Sequence, residues 1–141
     1  MDTDGSAIAR LLEESQRGLD RVEPADLDAV TASGALVVDV RPVEQRLRDG
    51  ELPGALVVDR NVLEWRLDPT SPYRLPGMDD PDRRIVLVCH EGYSSSLAAR
   101  TLQQLGLRRA TDLAGGFTAW SAYVASARAD AIATERCVVT H

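Results

Sequence analysis

The densest chemistry in the chain lies in eight consecutive residues, Cys89-His90-Glu91-Gly92-Tyr93-Ser94-Ser95-Ser96. A thiolate is a strong nucleophile, yet an ordinary cysteine with a pKa near ~8.5 is only a few per cent ionised at pH 7. An environment rich in hydrogen-bond donors changes that, and the residues after Cys89 are of the types that supply one. Gly92 lets the backbone turn tightly enough for N–H groups to converge. Ser94 and Ser95 add hydroxyl donors to the same cradle. The competing reading is a buried cysteine at a strand end, packed as a small hydrophobe and inert.

Other chemistry-bearing residues are sparser. Asp39 and Arg41 lie two apart; Arg41 can steady the Cys89 region by pairing with a carboxylate, or form a plain structural ion pair. A second cysteine sits in Cys137-Val138-Val139-Thr140-His141. With Cys89-His90 it raises the idea of a metal site, but adjacent Cys and His seldom reach one ion and no C-x-x-C pair is present, so no metal is expected. Cys137 is also a candidate resolving thiol. Phe117 and Trp120 read as core aromatics. Trp65 and Tyr73 fall in a surface segment where they could line the mouth of a pocket.

The elements that must position Cys89 can be read from hydrophobic pattern. Ala35-Leu36-Val37-Val38 and Ala55-Leu56-Val57-Val58 are unbroken apolar runs, each followed by an aspartate. Ile85-Val86-Leu87-Val88 is a third, and it ends at Cys89. Runs of this length without alternation fit parallel strands buried on both faces. Helical segments fall between them: Val43 to Arg48, Asn61 to Arg66 and Ser95 to Leu105. The last has Ala98, Leu102 and Leu105 at helical spacing, Gly106 to stop it, and Ser94 or Ser95 as its cap. Ser6 to Gln16 reads as an amphipathic helix with Ile8, Leu11, Leu12 and Ser15 on one side, and Asp26 to Thr31 as a short helix. Thr111-Asp112-Leu113 is a further strand candidate and Phe117 to Ala127 a closing helix. Asp68 to Asp82 is one long loop, and the residues beyond Ala127 carry little pattern. Alternating strands and helices predict an open α/β sheet. Cys89 would then lie at the carboxyl edge of a strand, where such sheets place ligands, facing a helix N-terminus that favours an anion.

Four blocks in order make the chain resemble the rhodanese-homology domain, over roughly Arg21 to Tyr123. They are Leu36-Val37-Val38-Asp39-Val40-Arg41, Asp49-Gly50-Glu51-Leu52-Pro53-Gly54-Ala55, Val86-Leu87-Val88-Cys89 with Gly92 and the serines, and Leu113-Ala114-Gly115-Gly116-Phe117-Thr118-Ala119-Trp120. The resemblance implies a single rhodanese-like domain with a mainly parallel sheet of about five strands and helices on both faces. It also implies a sulfurtransferase in which Cys89 is catalytic. The thiolate would take a sulfane sulfur from thiosulfate or a persulfide and pass it to a thiophilic acceptor, which could be a protein. His90, Glu91, Gly92, Tyr93, Ser94 and Ser95 would bind substrate, with Asp39 and Arg41 in support. The chain departs from the family at Glu51, where a histidine is usual, and at Ser94, where arginine is common. Its loop does not match the variants associated with mercaptopyruvate or with two-domain thiosulfate enzymes, so the donor stays open.

Two other functions compete. Cysteine phosphatases need Cys-x5-Arg to grip phosphate, but the sixth residue after Cys89 is Ser95. A non-catalytic binding module of this fold would be expected to lack the cysteine. Composition narrows the class further. The 141 residues are 44% hydrophobic and 27% charged, with a net charge of −6, and every basic residue is arginine. That balance predicts a globular chain with no general affinity for nucleic acid or anionic membrane. No apolar run is long enough to span a bilayer, and the acidic start Met1-Asp2-Thr3-Asp4-Gly5 lacks a secretory pattern. The reading is a cytoplasmic protein without a cofactor. Residues 1–20 form an N-terminal helix region, 21–127 the domain and 128–141 a tail.

Overall fold

Unbroken runs of valine, isoleucine and leucine need apolar cover on both sides, and two of them take the centre of one sheet. In the computed structural model, which describes the backbone of residues 5–139 and side chains through Glu135, β1 (Leu36–Asp39) and β3 (Ile85–Val88) pair in parallel. β2 (Leu56–Val57) flanks β1 and β4 (Ala110–Asp112) flanks β3, so the order is β2-β1-β3-β4 and every pairing is parallel. Side chains alternate across this sheet. Val38, Ile85 and Leu87 face one layer, formed with Leu63 and Leu67 of α4 (Leu63–Leu67) and Ala98 and Leu102 of α5 (Ser94–Gln104). Val37, Val86 and Val88 face the other, with Leu27 of α2 (Leu27–Ala32) and Phe117 of α6 (Gly116–Val139). Helices therefore cover both faces.

Four strands form rather than about five. The place of a fifth is marked by a single parallel bridge, Val22 to Leu113, with Val22 N–H bonded to Asp112 O and Ala114 N–H to Val22 O. Pro24 lies two residues on and has no N–H to continue a ladder. The run Ala55–Val58 also contributes less than its composition promised. Only Leu56 and Val57 pair, on an edge, and both are exposed while Val58 is buried.

α1 (Ala7–Arg17) starts at Ser6, whose hydroxyl accepts from Ala9 N–H, and packs on α5. Leu12 and Ser15 are buried there, whereas Ile8 and Leu11 are half exposed, so the covered stripe is narrower than the four-residue face expected. α3 (Val43–Asp49) follows β1 at once. The closing helix runs well past Ala127. Its residues 125–135 are all exposed; with nothing to bury they need no apolar stripe, and alanine-rich sequence is helical by intrinsic preference. Among the described residues, no helix is long and apolar enough to cross a membrane.

Candidate active site

β3 ends at Val88 and delivers Cys89 to the carboxyl edge of the sheet. Cys89 is 5% exposed, and its sulfur gathers three polar groups. Gly92 N–H donates to Sγ at 3.1 Å and Ser95 N–H at 3.4 Å, while Ser95 Oγ lies 3.1 Å away. Gly92 reaches this position with φ +85°, and a Cβ there would come within 2.8 Å of Gly115 N. Left-handed backbone and a crowded neighbour both require glycine.

The loop is held between two helix starts. α5 begins at Ser94, and its first turn directs Ser95 N–H at the sulfur. α6 begins at Gly116 and spends its free donors on the loop's carbonyls, Phe117 N–H on Cys89 O at 2.8 Å and Thr118 N–H on His90 O at 3.0 Å. This satisfies orphan groups of a helix N-terminus and fixes the nucleophile's own backbone. The expectation that Ser94 or Ser95 caps α5 is corrected: the cap position is Tyr93, with no side-chain cap bond. The hydroxyls of Ser95 and its neighbour Ser96 are drawn elsewhere.

Their target is Asp112, fully buried at the end of β4. Ser95 Oγ and Ser96 Oγ both donate to Asp112 Oδ2 at 2.7 Å. Arg21 closes the network, donating from Nε to Asp112 Oδ1 at 2.8 Å and from Nη2 to Oδ2 at 3.2 Å. The same Nη2 donates to Gly92 O at 2.9 Å, and Gln16 Nε2 reaches Gly92 O and Ser96 Oγ at 3.3 Å each. Sequence reasoning missed Gln16, Arg21 and Asp112 as parts of the site. The one available hint was an aspartate inside the strand candidate Thr111-Asp112-Leu113, since a charge in a buried strand requires partners.

Above the sulfur opens a cleft of about 280 Å³. One wall is Arg41 and Pro42 from the turn between β1 and α3 with Gln45 of α3; the other is Cys89, His90, Glu91, Tyr93 and Ser94. Tyr93 is 41% exposed and the Glu91 side chain 54%. Ser95 and Gly92 lie beneath and beside the sulfur rather than on the cleft wall. Arg41 is buried and bonds Asp39 through Nε and Nη2, with the closest contact 2.8 Å, and Nη2 also donates to Gly50 O. Its guanidinium carbon is 3.8 Å from the Phe117 ring centroid, which explains how Nη1 lies buried without a hydrogen-bond partner among the described residues. Bonding to Arg48 holds the Asp49 carboxyl below the usual range, so a negative charge persists 3.7 Å from His90 Nδ1.

Phe117 is core and stacks at a tilt on Trp120, 5.4 Å between centroids. Glu51 is on the surface, paired with Arg46 at 3.0 Å. Trp65 and Tyr73 are exposed and do not reach this cleft. The side chains of Cys137 and His141 lie outside the described residues. Taken together, the arrangement presents a sulfur with two N–H donors and a hydroxyl around it at the edge of a small open cleft.

A family model for the rhodanese-like domain matches residues 23–123. The chain is 35% identical over 103 residues to the adenylyltransferase and sulfurtransferase UBA4 of Candida albicans, covering 72% of this chain and 23% of that one. It is 30% identical over 102 residues to the thiosulfate sulfurtransferase GlpE of Pseudomonas savastanoi, covering 72% and 87%. It thus spans about a quarter of the UBA4 relatives and most of the GlpE ones. Among solved structures, a Rhodopseudomonas palustris protein of unknown function, described as a possible tyrosine phosphatase, superposes with TM-score 0.74 at 35% identity, covering 86% of this chain and 93% of that one. The human single-domain sulfurtransferase TSTD1 gives TM-score 0.58 at 26% identity, covering 71% and 93%.

Proposed function

The chain belongs to the rhodanese-like domain family, and from that membership we propose that it is a sulfurtransferase working through a persulfide on Cys89. The observation that carries this reading is the setting of Sγ, with two backbone N–H groups directed at it and a cleft open above. Donors of that kind stabilise an anionic sulfur before and after transfer. The thiolate attacks the outer sulfur of the donor. With thiosulfate, an Sγ–S bond forms and the donor's S–S bond breaks, its electron pair leaving on sulfite. A thiophilic acceptor then attacks the outer sulfur, and the pair of the Sγ–S bond returns to Sγ. His90, Glu91, Tyr93 and Ser94 form the wall a donor meets, and Gly92 and Ser95 hold the sulfur. The acceptor could be a small thiol or a protein. No cofactor enters either step, and the reduced thiol suits a reducing compartment such as the cytoplasm.

The phosphatase description of the Rhodopseudomonas relative offers a second reading, and Ser95 weighs against it. The residue at that position would have to grip phosphate, but its hydroxyl is turned inward to Sγ and Asp112.

Intact-mass measurement after incubation with thiosulfate, or with glutathione persulfide, tests the proposal. One added sulfur on Cys89, removed by cyanide and absent in Cys89→Ser, is the expected result. Hydrolysis of p-nitrophenyl phosphate with no sulfur adduct would favour the phosphatase instead.

A further inference from the structure

The Ser95 hydroxyl has one proton and two acceptors within reach, and both positions have a use in the reaction. It lies 3.1 Å from Cys89 Sγ and 2.7 Å from Asp112 Oδ2. While the sulfur is a thiol, S–H donates to Ser95 Oγ and the Ser95 proton goes to Asp112. When the sulfur is a thiolate, the same hydroxyl can turn its proton to Sγ. Asp112 tolerates the loss, because Oδ2 keeps Ser96 Oγ at 2.7 Å and Arg21 Nη2 at 3.2 Å, and Oδ1 keeps Arg21 Nε. A buried carboxylate left with one bond fewer but its charge still paired avoids the heavy cost of an unmatched ion.

We propose that Ser95 is a catalytic two-position donor, bonding Cys89 Sγ when that sulfur is anionic and Asp112 when it is not. The proposal rests on the sulfurtransferase reading above. In the persulfide the negative charge sits on the outer sulfur and Sγ is neutral, so Ser95 turns to Asp112. As the acceptor attacks the outer sulfur, the Sγ–S bond breaks and its electron pair arrives on Sγ. Ser95 then turns its proton back to the departing thiolate. No proton is transferred in either step; only the direction of one O–H bond changes. Arg21 and Ser96 are positioning residues that hold the Asp112 carboxylate in place.

The two half-reactions use this bond oppositely. During loading the bond exists in the starting thiolate and weakens as Sγ attacks. During discharge it is absent in the persulfide and forms toward the transition state, which is where an interaction accelerates a step. Ser95→Ala should therefore slow discharge while leaving loading, normalised to the thiolate fraction seen by ultraviolet absorbance, unchanged or faster. A hydrogen bond to a charged group is strong enough for a discharge loss of about tenfold or more. Ser96→Ala is the comparison, since it removes the other hydroxyl on the same Asp112 oxygen and its bond to Gly92 O without removing a donor to Sγ. As the loss of a positioning group, it should change loading and discharge alike.

The experiment is rapid-quench mass spectrometry of each half-reaction on the full chain, loading with thiosulfate and discharge into cyanide from isolated persulfide. A selective loss of discharge in Ser95→Ala, with loading and discharge changed alike in Ser96→Ala, is the expected result. Equal slowing of both steps in Ser95→Ala would reduce the hydroxyl to a structural support and overturn the proposal. So would unchanged rates, or the same asymmetry in Ser96→Ala. Failure of the wild-type chain to form any Cys89 persulfide would instead bring down the sulfurtransferase reading, and this proposal with it.

Discussion

Glu91 stands two residues after the nucleophile, on the cleft wall, with its side chain about half exposed. Its nearest cationic neighbour is His90, whose Nε2 lies 3.7 Å from Oε1 and is charged only when protonated. An arriving thiosulfate dianion meets that carboxylate. Across several ångströms of water-like surroundings the repulsion is on the order of 1 kcal/mol, enough to change a rate several-fold. Glu91→Gln should raise kcat/KM for thiosulfate by about threefold to tenfold at low salt, and the gain should shrink as ionic strength rises. A neutral persulfide donor should hardly respond. Steady-state kinetics over a salt series measures this, and a flat response would show that the carboxylate plays no part in donor choice. The loop Cys89 to Ser96 was legible as a unit because its chemistry is contiguous, and so was the Asp39–Arg41 pair. Gln16, Arg21 and Asp112 were not, because a side chain's partner many positions away leaves no trace in local spacing.

Among the elements, the start of α6 does two jobs at the same point. Its first N–H groups hold the carbonyls of Cys89 and His90, and Gly116 lies so close to the loop that a Cβ there would sit 2.6 Å from Cys89 O and 2.7 Å from Gly92 N. Gly54 has a comparable positive φ, +78° against +63°, but open space around it. Alanine at either position incurs the left-handed backbone penalty of roughly 1–2 kcal/mol. Only Gly116→Ala should also displace the loop. Both variants should unfold at lower denaturant, whereas persulfide formation should fall at least about tenfold in Gly116→Ala alone. Equal activity in the two would mean that the loop does not depend on this close approach. The central strands were readable because burial on both faces writes a continuous apolar run. β2 misled for the same reason, since its run is apolar yet lies at an edge, and the α5 cap misled because Ser95, one of the two serines expected to serve it, bonds the Asp112 carboxylate of β4.

Across the whole molecule, the body and the far end of α6 differ in what they bury. Both core layers are complete without residues 125–135, all of which are exposed. A chain ending after Ser126 should keep its thermal midpoint within about 3 °C and its turnover within about twofold, because surface residues without buried partners contribute little. Differential scanning calorimetry and a sulfur-transfer assay suffice to check it. A large fall in either would show that this segment has a partner surface on the body. The helical state of that segment was illegible for the reason that makes it dispensable: without an apolar stripe there is no period to read.

The network beneath the sulfur also has a history in time. Arg21 meets Asp112 across 91 positions and Gly92 across 71, and Gln16 meets Gly92 across 76. Helices can form within their own stretches of chain, but contacts of this range wait for the parallel sheet to close. Cys89 should therefore become shielded only with the last, slowest phase of refolding. A thiol-labelling pulse during refolding, read by mass spectrometry on a Cys137→Ser background, should show Cys89 still reactive after most helical circular dichroism has returned. Protection that arrives together with the helices would mean the loop organises itself locally. If it arrives last, the reactive sulfur serves as the molecule's own reporter that the chain's beginning, middle and end have met.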